Sequence, residues 1–364
     1  MDLSTLYDAL DVPEEHGPGR LLFSARKAHY TLPYLVLSAL EYHGHPMSEA
    51  ARGELGRARR RARHYEEVLA HIADRARVQV VKGPMLARHY PDGILRPQGD
   101  LDLVTDGEAD LWRAVRLLTA DSTPLYIGVS ILGAPIRHTV VALHWPAEDP
   151  LLDPEIRVDV ATAALVGDCG VFPVRPRMPE DPLAANLLAL AEERLQRPFH
   201  ARDIIDVHLL GATPIASTEA LVSAAAEYHL APELRELLDH AATRLPLGHL
   251  SGLSAALETE VDRERARRAA YSAPPAPPKD IDAALAAGTA LYGMPLRPAE
   301  GRTDWDRARV HRYGDEALLL TPVGDYLLVT HEIVAQERYE AALRELDAPT
   351  ELRGEPGRGA GQLS

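Results

Sequence analysis

Between residues 78 and 160 the chain changes its hydrophobic period, and this narrows the possible folds more than any other feature. Upstream, "RLLFSARKAHYTLPYLVLSALEYHG" has helical apolar spacing and stops at Gly44-His45-Pro46. In "GRARRRARHYEEVLAHIADRAR", residues Tyr65, Val68, Leu69 and Ile72 fall at i, i+3, i+4 and i+7, one helical stripe. Then come short β-rich runs: "VQVVKG", "DLDLVT", "LYIGVSI", "HTVVALHW" and "IRVDVATA". A short helix and turn, "MLARHYPDG", separates the first two, and a helix, "GEADLWRAVRLLTAD", follows the second. From Pro182 the pattern is helical again. Strands bracketed by helical stretches make an α+β chain with a mixed sheet.

The expected divisions follow these changes. Residues 1–77 form a helical region, 78–175 an α/β core and 176–271 a second helical region. The proline-rich stretch 272–278 is a linker. Residues 279–350 form a C-terminal α+β segment, with a hairpin in "EALLLTPVGDYLLVT" and a helix in "HEIVAQERYEAALREL". The tail, 351–364, has the composition of a disordered segment.

Composition limits the partners. The chain has 364 residues and a formal net charge of −15, which disfavours bulk binding to a nucleic-acid backbone. One cysteine, Cys169, allows no intrachain disulfide and suits a reducing compartment. The N-terminal segment lacks the basic and apolar regions of a signal peptide. No run of about 18 apolar residues is present to span a bilayer. A cytoplasmic protein without a membrane partner is expected.

The chemistry concentrates in "RPQGDLDLV", residues 96–104. On a strand, Asp100 and Asp102 point to one face. Two carboxylates side by side repel unless a cation lies between them. In "IRVDVATA", Ile156, Val158 and Val160 share a face, and Arg157 and Asp159 take the other. An aspartate in such an apolar strand needs something to hold it. Hard oxygen donors in this arrangement suit Mg²⁺, and a pair of such ions suits nucleotidyl transfer.

With those residues in view, "VVKGPMLARHYPDGILRPQGDLDLV" resembles the signature of the nucleotidyltransferase-fold superfamily that includes DNA polymerase β. More specifically, it resembles a bacterial family of uncharacterised nucleotidyltransferases. That family's pattern is a strand, Lys-Gly, a small helix ending in Tyr-Pro, then Arg-Pro, two residues and Asp-x-Asp-Leu. Lys82-Gly83, Tyr90-Pro91, Arg96-Pro97 and Asp100-Leu101-Asp102-Leu103 stand in those places. The match covers about residues 60 to 211 and is tightest around 80 to 104. The resemblance implies a nucleotidyltransferase-type mixed sheet with flanking helices. It implies metal roles for Asp100 and Asp102, with Asp159 as the third catalytic carboxylate and metal ligand. An alternative alignment places "VALHW" at that strand, with Ala142 where an acid is needed. Gly83 is implied as the point where backbone approaches the triphosphate. Lys82 either binds a phosphate or snorkels outward. Arg96 either binds phosphate or pairs with a carboxylate. The implied cofactor is Mg²⁺ or Mn²⁺, with an NTP as substrate.

Those readings give an enzyme that moves an NMP from an NTP to a small-molecule, peptide or protein acceptor and releases pyrophosphate. A tRNA-modifying toxin that meets its acceptor through Arg57 to Arg63 is an alternative, although these arginines read most simply as a solvated helix face. A non-catalytic nucleotide- or partner-binding module is another. His138 and His144 read as structural residues, and His43-Gly44-His45 as a turn. Arg202 and Asp206, at i and i+4, are spaced to pair on a helix. Asp203 and Asp206 read as structural, and Cys169 has no histidine beside it for a nucleophile's role.

Overall fold

The computed structural model describes residues 1–168, 170–272, 280–299, 301–302, 304–331 and 333–348. Cys169, most of the proline-rich stretch at 272–278 and the 351–364 tail lie outside the described residues. The chain is α+β. Its helices are α1 (Leu3–Leu10), α2 (Gly17–Ala28), α3 (Leu32–Tyr42), α4 (Glu49–Ala73), α5 (Gly83–Ala87), α6 (Glu108–Ala120), α7 (Pro182–Glu192), α8 (Ala201–Leu210), α9 (Thr218–Glu227), α10 (Ala231–Ala242), α11 (Leu253–Ala256), α12 (Glu258–Ala270), α13 (Ile281–Ala287) and α14 (Gln336–Asp347). Its strands are β1 (Val78–Val81), β2 (Leu101–Thr105), β3 (Tyr126–Leu132), β4 (His138–Trp145), β5 (Ile156–Ala161), β6 (Leu291–Pro298), β7 (Arg309–Tyr313), β8 (Glu316–Leu320) and β9 (Gly324–Val329). None of the described helices is long and apolar enough to cross a membrane.

Local chemistry sets several helix starts. The Ser48 hydroxyl accepts from the Ala51 N–H at 3.2 Å and opens α4. Asp181 accepts from the Ala184 N–H at 2.7 Å, with Pro182 next, and opens α7. The long apolar run at 21–44 is not one helix. It breaks at His29–Thr31, where Thr31 stands at the N-cap position of α3 without a side-chain capping bond and Pro33 stands in the helix's first turn. That break puts Tyr30 at a corner beside the sheet.

All nine strands share one sheet, in the order β1-β2-β5-β4-β3-β6-β9-β8-β7. Every pair is antiparallel except β2 with β5, which is parallel. The stretch at 279–350 supplies β6 to β9 and joins the sheet through β6 against β3. One face of the sheet carries Leu101, Leu103, Val129, Val141, Val158 and Val160. It packs on Tyr65 and Ile72 of α4, Trp112 and Val115 of α6, and Ile281 and Leu285 of α13. The opposite face carries the acids. At its β1–β2 end it is covered by α7, where Ala189 meets Val81 and Val104. At its far end α14 covers β8 and β9. The N-terminal helices and the helices after 182 share a core, with Leu21, Leu35 and Val36 in the same apolar cluster as Leu187, Ile205 and Leu237.

The α4 arginines from Arg57 to Arg63 are only in part a solvated face: Arg63 is exposed with no carboxylate partner among the described residues, whereas the others are engaged. Arg57 pairs with Asp153 at 2.7 Å, Arg59 with Glu41 at 2.6 Å and Arg60 with Glu148 at 2.7 Å. Arg61 is buried and donates to the carbonyls of Pro154 and Glu155. The loop between β4 and β5 brings Glu148, Asp153 and the two carbonyls onto the helix, and Glu41 comes from α3, contacts that periodicity along α4 alone does not reveal.

Candidate active site

The parallel pairing of β2 with β5 sets Asp102 directly opposite Asp159 in register. Asp100 stands one residue before β2. All three line a cavity of about 410 Å³ between the sheet and the helical layer. On the other side of Asp159, the antiparallel β4 places Ala142 opposite it. The carboxylate is therefore on β5, and the neighbouring strand offers a small side chain.

The electrostatics of the three acids differ. No protein group donates to Asp100 or Asp102 among the described residues. Burial, and then the adjacent Asp100 charge, push Asp102 up to about 7, although Lys82 pulls the other way. Burial also raises Asp159, against the opposing effect of Arg157. Arg157 holds both Asp159 oxygens, with Nε at 3.1 Å from Oδ1 and Nη2 at 2.5 Å from Oδ2. Among the described residues, no three His, Cys, Asp or Glu side chains already converge as a metal cage. Asp100 and Asp102 are open, and Asp159 is occupied by its neighbour on the strand.

The Lys82-Gly83 turn forms another part of the wall. Lys82 has φ +60°, unusual for a residue with a Cβ, and Gly83 has φ +25°. A Cβ on Gly83 would meet no atom within 4 Å, so the backbone here borders open space. The Lys82 ammonium bonds Glu193 at 2.6 Å. Burial opposes its charge, but Glu193, Asp102 and Glu192 together raise its pKa. Lys82 therefore points inward rather than snorkelling.

Arg96 takes the carboxylate side of its two readings. It grips Asp206 with Nε to Oδ1 at 2.9 Å and Nη2 to Oδ2 at 2.7 Å. Tyr90 donates to the same Asp206 Oδ1 at 2.7 Å. This corrects the expected Arg202–Asp206 pair: the carboxylate turns from its own helix toward the core beneath the site. Asp203 is likewise structural, accepting from Arg197 at 2.7 and 3.0 Å. His138 bonds the Thr162 carbonyl at 2.9 Å and His144 bonds Glu155 at 2.8 Å. Neither borders the cavity.

Several residues of the site have no local sequence signal. Tyr65, read as part of an apolar stripe, donates to the Gly99 carbonyl at 3.0 Å and accepts from the Arg157 N–H at 3.3 Å. It ties the residue before Asp100 to β5 and so helps set the spacing of the acids. Gly99 is small for a reason, since a Cβ there would lie 2.4 Å from the Tyr30 hydroxyl. Glu192, Glu193 and Arg197 arrive from the end of α7 and the turn after it. A larger cavity, about 610 Å³, lies on the other face of the sheet under α4 and α6. It contains none of the open acids, and Arg57 and Arg60 on its rim are paired.

The pKa of Asp102 has a consequence for stability. Between about pH 4 and pH 7 the unfolded chain gives up the Asp102 proton and the folded chain keeps it. Metal-free stability therefore falls as pH rises through that window. Asp102→Asn removes this loss. At pH 8 the metal-free variant should exceed wild type by on the order of 2–4 kcal/mol, and the gap should shrink toward pH 4. Chemical denaturation at both pH values measures it. An equal gap at the two would contradict a raised Asp102.

No protein-family model matches the chain, and no curated protein and no solved structure matches it.

Proposed function

We propose that the protein is a metal-dependent nucleotidyltransferase with a nucleotidyltransferase-type core. The observation that carries this reading is the set of three acids at two neighbouring strands, Asp100 just before β2, Asp102 and Asp159 in register on β2 and β5, with Asp100 and Asp102 free of protein partners among the described residues. A hard divalent cation with oxygen ligands answers that arrangement. Strand, Lys-Gly turn, short helix, antiparallel strand with Asp-x-Asp and parallel strand with a third acid also fit the resemblance of the sequence.

In this reading Asp100 and Asp102 would hold Mg²⁺ or Mn²⁺, with Asp159 as a further ligand once freed from Arg157, and the metal would supply positive charge against the triphosphate and the departing pyrophosphate. Gly83 lets the backbone approach the phosphates without a side chain in the way. Lys82 adds positive charge beside Asp102. An acceptor oxygen or nitrogen attacks the α-phosphorus, and the bond from that phosphorus to the α,β-bridging oxygen breaks. Asp159, as a ligand of the second metal, would lower the acceptor's proton affinity, and its carboxylate could accept the proton that the acceptor gives up. The paired arginines of α4 and the net charge of −15 favour a small-molecule, peptide or protein acceptor over tRNA.

The test is release of pyrophosphate from each NTP in the presence of small hydroxyl and amine compounds, peptides and proteins as acceptors, with and without Mg²⁺. Magnesium-dependent release is expected. The Arg157–Asp159 pair favours one other reading, a nucleotide- or partner-binding module in which the third acid never engages a cation. Tight NTP binding with no release under any condition would support that module.

A further inference from the structure

Five cationic side chains border the cavity: Lys82, Arg96, Arg157, Arg197 and Arg202. Four have carboxylate partners, Glu193, Asp206, Asp159 and Asp203 in that order. Among the described residues, no carboxylate pairs with Arg202. Its Nη1 donates to the Thr31 hydroxyl at 3.4 Å, long for a charged donor, and its Nε is buried without an acceptor. The histidines beside it add no positive charge of their own. His29 and His200 lie with ring centroids 4.5 Å apart. Burial is the main cause that lowers them, to about 3 and about 4, and Arg202 adds to it, so both are neutral at pH 7. A second group in the same cavity is also unsatisfied. Gln98 is buried, and its Oε1 has no partner.

A half-buried guanidinium with unused donors and a sealed, unpartnered Nε suits an oxyanion, which its planar fork fits. A buried primary amide calls for a neutral polar group. We propose that Arg202 is the oxyanion subsite of this cavity and that it binds a phosphate or carboxylate on the acceptor, with Gln98 meeting a neutral polar group of the ligand. The placement favours the acceptor over the NTP. Arg202 approaches from α8 beside His29 and Tyr30, whereas the Lys82-Gly83 turn sits at the start of α5. Tyr30, 53% exposed, adds an aromatic face next to Asp100. Assigning the oxyanion to the acceptor rests on the nucleotidyltransferase reading. The oxyanion subsite itself does not.

The test is calorimetric titration of inorganic phosphate into full-length protein saturated with Mg²⁺ and a non-hydrolysable NTP analogue. In Arg202→Met, phosphate should bind at least tenfold more weakly and the analogue within twofold of wild type. Arg202→Lys should keep part of the phosphate affinity. A tenfold loss of analogue affinity instead would assign the oxyanion to the nucleotide and overturn the acceptor assignment. No change in either titration would overturn the subsite. If Arg202→Met does not fold, phosphate protection of Arg202 from phenylglyoxal in wild type, read by peptide mass mapping, decides the same question. If the analogue does not bind wild type at all, the nucleotidyltransferase reading fails. Phosphate titrated alone then still reports on Arg202.

Discussion

Asp102→Asn is expected to weaken magnesium-dependent NTP binding by at least about 100-fold and to lower pyrophosphate release by about 1,000-fold, with the fold retained. The physical reason is specific to this position. Asp102 lines the cavity without a hydrogen-bond partner among the described residues, and Asp159 stands opposite it in register. The amide keeps the shape and one oxygen but loses the charge that attracts a divalent cation. The same change should stabilise the metal-free protein at alkaline pH. A gain in stability with a loss of binding separates a ligand role from a packing role. Equilibrium binding of a fluorescent NTP analogue, with and without Mg²⁺, measures the first effect. Unchanged affinity would remove Asp102 from the nucleotide site.

The second large effect is structural. Arg96→Ala should destabilise the protein by about 3–5 kcal/mol. It leaves Asp206, whose side chain is fully buried, with Tyr90 as its remaining partner. Arg96 is itself 5% exposed, so the pair is sealed from solvent on both sides. Replacing both ends together, as Arg96→Met with Asp206→Leu, should cost less than Arg96→Ala alone, because no unpaired charge remains in the core. Urea unfolding monitored by circular dichroism gives the comparison. A double variant less stable than Arg96→Ala would show that the pair contributes more than mutual neutralisation.

The parts of the fold that were legible in the sequence were those governed by local period. "VQVV", "DLDLVT", "LYIGVSI", "HTVVALHW" and "IRVDVATA" all form strands, because alternation along a half-buried strand is written residue by residue. Asp159 stood out as an acid between two apolar positions for the same reason. The Arg157 contact was also within reach of that logic, since residues two apart on a strand share a face. What local period does not encode is which distant segments meet. The attachment of β6 to β3 depends on pairing across more than 150 residues. The capture of Arg57 and Arg60 by the loop before β5 is of the same kind. Tyr65 fits an apolar stripe by its ring, but its hydroxyl, bonded to Gly99 and Arg157, is the part that matters at the site. The break at His29–Thr31 was hidden because apolar spacing continues across it, and it is this break that brings Tyr30 over Gly99.

The most direct measurement is a crystal structure with Mn²⁺ and a non-hydrolysable NTP analogue, in which anomalous scattering locates the metal. The expected result is manganese between Asp100, Asp102 and Asp159, with the triphosphate beside Gly83 and Arg157 turned away from Asp159. The contradicting result is an intact Arg157–Asp159 pair, no manganese at Asp100 and Asp102, and the nucleotide absent from this cavity.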